Sequence, residues 1–231
     1  MKITRLLLLL ALLSYTILAK AQEQRKFDYF DAVSATGDVT VTLIKGEAPS
    51  ASILSEGIDE DNITMYIKDD MLRIQLIEGW FDDADDVEIT VYYEQLRTVK
   101  AAAGARVRAE GTIESEELKL KAASGAILEA SVDCKSLKAS ASEGAELTIS
   151  GVTESQDANV STGGQYYGFA LESTHSKVKS NTGGEAYVVA RERLDANANT
   201  GGSIYYKGDP EYKSTRSLIS GGISRVDDDE R

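Results

Sequence analysis

The sequence has one cysteine, two prolines and one histidine in 231 residues, and few aromatic side chains. Cys134 has no partner in the chain, so no intramolecular disulfide can form, and a lone cysteine of this kind is expected as a small buried core residue. Pro49 and Pro210 are the only prolines, and no Ser/Gly-rich linker interrupts the chain, which argues for one continuous body. His175 lies in a polar stretch with Glu172 and Lys177 and reads as an exposed loop residue, not a general base. No apolar stripe of helical period exceeds two turns, so the chain is expected to be all-β.

Basic residues are also scarce. The N-terminal segment combines Lys2 and Arg5 with an apolar run from Leu6 to Ala19 and an Ala19-Lys20-Ala21 site, the pattern of a cleaved signal peptide over residues 1–21. The run is shorter than the roughly 20 residues a membrane-spanning helix needs, so no transmembrane segment is expected after cleavage. Without those residues 22 basic face 38 acidic side chains, a net charge of −16. Such a surface repels phosphate backbones and anionic lipid, which excludes nucleic acid as a partner. The signal-peptide pattern calls for export to the periplasm, the outer membrane or the exterior, and no cofactor is expected.

The first third, residues 22–97, alternates with period two. Val39, Val41 and Leu43 face one way, and strand-like stretches follow at Ala51–Leu54, Ile63–Ile67, Met71–Ile77 and Val87–Tyr93. Lys68-Asp69-Asp70 is short enough to close a hairpin. In the loop from Glu78 to Asp86, Asp82, Asp83, Asp85 and Asp86 can present oxygens to a cation. The spacing lacks the glycine and terminal glutamate of a Ca²⁺ loop, so a solvated acidic turn is the simpler expectation.

Residues 98–226 repeat. Aligning one glycine per copy gives corners at Gly104, Gly125, Gly144, Gly163, Gly183, Gly201 and Gly221, spaced 21, 19, 19, 20, 18 and 20 residues apart. A fixed period near twenty marks a solenoid. Odd positions on both sides of the corner are small or apolar, such as Leu118, Leu120 and Ala122 before Gly125 and Leu128 and Ala130 after it. Even positions are mostly Lys, Ser, Asn and Asp. Each copy is therefore expected to be a strand, a tight corner and a second strand, with a looser polar bend leading to the next copy. One unit cannot bury a core alone, and stacking joins the inward side chains into a column. The glycines are expected to be structural, supplying a positive φ at corners too tight for a Cβ, and not a phosphate-binding loop. The acidic tail, residues 227–231, is too charged to stack and is expected to end the array.

The signal peptide, the opening Phe27-Asp28-Tyr29-Phe30-Asp31-Ala32-Val33, the β-rich first third and the small-Gly-small corners together resemble the putative auto-transporter adhesin head GIN domain family. The resemblance implies one domain over residues 22–226, a right-handed parallel β-helix or β-solenoid. It further implies an exported protein of the kind found mainly in Bacteroidetes, with a role in adhesion and without the catalytic residues of pectin lyases.

A carbohydrate lyase or hydrolase would need clustered carboxylates, or a base beside cation ligands, and the spacing brings no acid pair together in neighbouring coils. The six-residue sub-period of acyltransferase solenoids is absent. What remains is a surface. Tyr167, Tyr187 and Tyr205 fall on even positions of successive coils and are expected to stack outward as an aromatic stripe. Such a stripe can bind a protein or glycan on a cell surface, or pack against a second copy or the first third of the chain. A purely structural periplasmic protein is the other alternative.

Overall fold

The computed structural model describes residues 24–56, 62–76 and 86–227. The signal segment, most of the Glu78–Asp86 loop and residues 228–231 fall outside them. The described chain is nearly all strand, with no helix, and forms a β-solenoid of about 7 turns with roughly 19-residue coils.

The repeated coils follow from the alternation. β9 (Arg106–Ala123), β10 (Ile127–Ser142), β11 (Glu146–Ser161) and β12 (Gln165–Asn181) pair in parallel along their whole lengths. They continue into β13 (Glu185–Val189), β14 (Arg193–Asn199), β15 (Ser203–Lys207), β16 (Tyr212–Leu218) and β17 (Gly222–Arg225). Inward side chains stack in register, as in Leu118–Leu137 and Leu128–Leu147, and every one of these four is buried. At about 25 cal/mol per Å² of apolar surface, this shared column is what holds the coils together.

The looser bend differs from the expected loop. In β9 to β12 the strand runs through it, and β10 and β11 keep ladder pairing to both neighbouring coils on either side of it. The turn is made by a slip in alternation, with Lys135 and Ser136 both directed outward between buried Cys134 and Leu137. Only after β13 and β15 is the strand interrupted.

Unequal spacings come from local insertions. β9 carries extra residues between Arg108 and Thr112 opposite the Glu129–Ser131 stretch, which explains the 21-residue interval. β12 carries one extra residue opposite the Thr148–Ser150 stretch, which explains the 20.

The tight corners are two-residue turns with both residues in the left-handed region. Ala103 and Gly104 have φ of 54° and 81°, and the amide of Ala105 bonds the Ala102 carbonyl. The same pairing recurs through Thr200–Gly201. This is the type I′ geometry whose twist suits adjoining strands. Each corner amide donates to the next corner, Gly125 to Glu143 and Gly144 to Thr162 among them.

Two details of the corners differ from expectation. At Gly104, Gly125, Gly144, Gly163 and Gly183 a Cβ would meet nothing within 4 Å, so φ and not space demands glycine there. Crowding falls one residue later, where a Cβ on Gly164 would lie 2.5 Å from the Ala141 carbonyl oxygen. The last corner is also shifted. Ile219 and Ser220 hold the left-handed pair, while Gly221 takes the crowded place beside the Ala198 carbonyl. Ser220 thus occupies the position of Gly201, whose amide bonds the Ile219 carbonyl.

The first third is stacked out of chain order. β2 (Ala32–Thr36) lies between β6 (Met71–Leu76) and β8 (Thr98–Ala102), parallel to both, and β3 (Thr40–Lys45) lies between β7 (Asp86–Tyr93) and β9. The second coil is therefore laid down before the first in chain order. β4 (Ser50–Glu56) then closes the edge of β7 and β5 (Ile63–Lys68) that of β6, both antiparallel, with β1 (Gln24–Lys26) outside β4. The β5–β6 hairpin turns on Asp69 and Asp70, both at φ 55°. This end is capped by antiparallel strands, whereas β16 and β17 leave the other end open.

Candidate functional site

The family-like opening has a structural job. Phe30 and Val33 are fully buried, and Asp31, itself buried, pairs with the Arg97 guanidinium and accepts a hydrogen bond from the Tyr29 hydroxyl. The Asp31 carbonyl also accepts the amides of Arg97 and Thr98, so the motif fastens the second coil to the third. Cys134 is buried, and burial raises its thiol pKa, which argues against nucleophilic use. It stacks with Ser115 and Thr153 at the inside of the bend, where each of those hydroxyls donates to the carbonyl two residues on.

His175 is exposed, 3.8 Å from a Glu192 carboxylate oxygen and outside any metal-ligating cluster among the described residues. The expectation that no two acids meet is corrected by the register, which places Glu114 beside Asp133 on adjacent coils. The two-residue insertion in β9 hid this pairing from the spacing. Glu114 is held by Lys45 at 2.7 Å, and this keeps its carboxyl below the usual range as a charged acid.

The tyrosines do come together. Tyr167, Tyr187 and Tyr205 are direct neighbours in three parallel strands. Ring centroids are 5.4 Å apart for Tyr167–Tyr187 and 5.0 Å for Tyr187–Tyr205, with planes inclined by 15° and 16°. The separation matches the inter-strand spacing of about 4.8 Å, so the backbone sets the stack. The Tyr167 hydroxyl donates to Gln165 at 3.0 Å and that of Tyr187 to Glu185 at 3.4 Å. Partial desolvation, and then the carboxylates of Glu146 and Glu185, push the Tyr167 phenol up; desolvation and then Glu185 do the same for Tyr187. Both therefore remain hydroxyl donors at neutral pH.

Two residues that the repeat pattern did not single out extend this patch. Phe169, in the extra-residue segment of β12, meets Tyr187 edge-on at 5.4 Å, and Lys207 lies 4.8 Å above the Phe169 ring. The signal was present as the 20-residue interval after Gly163, since an insertion in a regular strand displaces a side chain from the alternation. Tyr167 remains 37 % exposed.

Comparisons place this architecture among known ones. A putative adhesin from Bacteroides fragilis NCTC 9343 superposes with a TM-score of 0.75 at 17 % identity, covering 89 % of this chain and 96 % of the other. Putative adhesins from Parabacteroides merdae (0.69, 20 %) and Parabacteroides distasonis (0.72, 18 %) each match 89 % of this chain and 95 % and 96 % of their own. At these identities the likeness establishes the fold. Among curated proteins no significant match is found. Residues 29–210 match the family described as putative auto-transporter adhesin, head GIN domain, and the chain belongs to that family.

Proposed function

We propose that the chain is an exported, non-enzymatic β-solenoid of the cell envelope, whose tyrosine-bearing face binds a protein at a cell surface. The family's adhesin description supports the general role, and the signal-peptide pattern of residues 1–21 supports export. The remainder, residues 22–226, acts as one rigid presenting body. Among the described residues no helix is long and apolar enough to cross a membrane.

The observation that carries this reading is the Tyr167–Tyr187–Tyr205 ladder on a continuous parallel sheet. Its geometry also favours one kind of partner. Stacked rings cover each other's faces, and both faces of Tyr187 are used. Sugar recognition by aromatic stacking needs a free face, and the ladder keeps only the outer faces of Tyr167 and Tyr205. What it offers along its length is ring edges and hydroxyls beside Lys207, a surface suited to the mixed polar and aromatic contacts of protein interfaces. Replacing all three tyrosines by Ala should abolish binding to target cells while leaving the thermal transition in place. Unchanged binding sinks the reading. Binding that survives protease treatment of the cells but is lost on glycan removal would point to sugars, and collapse of the fold to a packing ladder.

A further inference from the structure

A groove of about 1190 Å³ opens beside the polar bend, where the segment joining β7 to β8 passes over the middle coils. It exceeds the roughly 300–1,000 Å³ of pockets that enclose small ligands, and it is an open trough. Three cations on its walls are each engaged: Lys45 with Glu114, Lys135 with Glu116 at 2.8 Å, and Arg97 with Asp31. Glu94, Glu117, Asp133 and Glu154 have no ion-pair partner among the described residues. Between them lies one exposed apolar side chain, Val152, which is 48 % exposed, while Leu96 in the same lining is buried.

A second, independent feature sits in the same lining. Tyr93 is 98 % buried, and its hydroxyl has no hydrogen-bond partner among the described residues. An orphaned buried hydroxyl forfeits the hydrogen bond it would make in water, so one that lines a groove invites an acceptor. Glu114, whose charge acts on this phenol, is itself held by Lys45.

We propose that this groove receives a basic, extended segment of a partner polypeptide. Its Lys or Arg head groups pair with Asp133, Glu154, Glu117 and Glu94, while their methylene stems lie on exposed Val152. A backbone carbonyl of the bound segment accepts the Tyr93 hydroxyl. The site is separate from the tyrosine ladder and does not depend on it.

The test uses the signal-free chain and a fluorescein-labelled ten-residue peptide alternating Arg and Ser, read by anisotropy. Asp133→Asn with Glu154→Gln should weaken binding at least ten-fold, and Tyr93→Phe about three-fold with an unaltered salt dependence. The remote pair Glu143→Gln with Asp209→Asn should change it less than two-fold. Equal losses in the groove and remote pairs would mean attraction to an acidic surface in general and overturn the proposal. So would absence of binding at low salt, or displacement of the peptide by a fully deacetylated glucosamine hexamer at equal concentration. The carboxylate substitutions lie on exposed side chains, so this comparison stands even if Tyr93→Phe misfolds.

Discussion

The phenol of Tyr166 reaches across the core and donates a 2.9 Å hydrogen bond to the side-chain oxygen of Gln156. The Gln156 amide donates in turn to Ser176 at 2.9 Å and to the Val189 carbonyl at 3.3 Å, and Ser176 also donates to that carbonyl. Tyr166, Gln156 and Ser176 are all buried, and Gln156 and Ser176 stand where neighbouring coils carry Leu137 and Leu194. The polar residues answer one oversized tyrosine in a column otherwise filled by Leu147 and Ala186.

Tyr166→Phe strands the Gln156 oxygen and should cost about 1–3 kcal/mol, read from urea unfolding. Adding Gln156→Leu removes the orphan, and the double variant should recover most of that loss. A double variant no more stable than Tyr166→Phe alone would show that the network contributes little.

Burial also raises the Tyr166 phenol well above its ordinary value, and Tyr93 is raised for the same reason. A group whose folded pKa is raised favours folding fully below its unfolded pKa and loses that contribution as pH climbs toward the folded one. Stability should therefore be flat in this respect up to about pH 10 and fall above it. In Tyr166→Phe the alkaline fall should be shallower, measurable as the urea midpoint between about pH 9 and pH 12.

Adjacent corner glycines should respond differently. Gly163→Ala meets open space at φ 70° and should cost about 1–2 kcal/mol for the left-handed backbone alone. Gly164→Ala presses a Cβ onto the Ala141 carbonyl and should cost about 3 kcal/mol. The residue before each corner glycine is held at positive φ too, and Thr182 at 50° is β-branched and strained. Thr182→Asn should raise stability by about 0.5–1 kcal/mol, seen as a higher melting temperature.

Charges in inward register guard the open end, Lys213 on β16 and Arg225, beside buried Tyr206, on β17. Lys213 stands in register with inward Leu194, and its ammonium bonds the Tyr206 hydroxyl at 3.3 Å and lies over that ring. An inward lysine on an edge strand discourages addition of another strand. Lys213→Leu leaves that edge apolar beside exposed Tyr212, Leu218 and Ile219. It should produce concentration-dependent association in light scattering beyond that of the unmodified chain, and a variant that scatters no more than the unmodified chain would show that the edge is protected otherwise.

The period of the glycines, the alternation around them and the small corner residues determined the solenoid by themselves, because each is a local rule repeated every coil. Tyr167, Tyr187 and Tyr205 were legible as a stripe for the same reason, their equal offsets from successive corners. Local rules fail where coils are unequal. The insertions in β9 and β12 decided that Glu114 meets Asp133 and that Phe169 joins the tyrosines, and the displaced last corner put Ser220 in place of Gly221. The groove at Tyr93 and the out-of-order stacking of β2 between β6 and β8 depend on contacts between segments far apart in the chain. No spacing encodes such contacts, since burying the first coil's open edge is decided by which surfaces meet in the folded state.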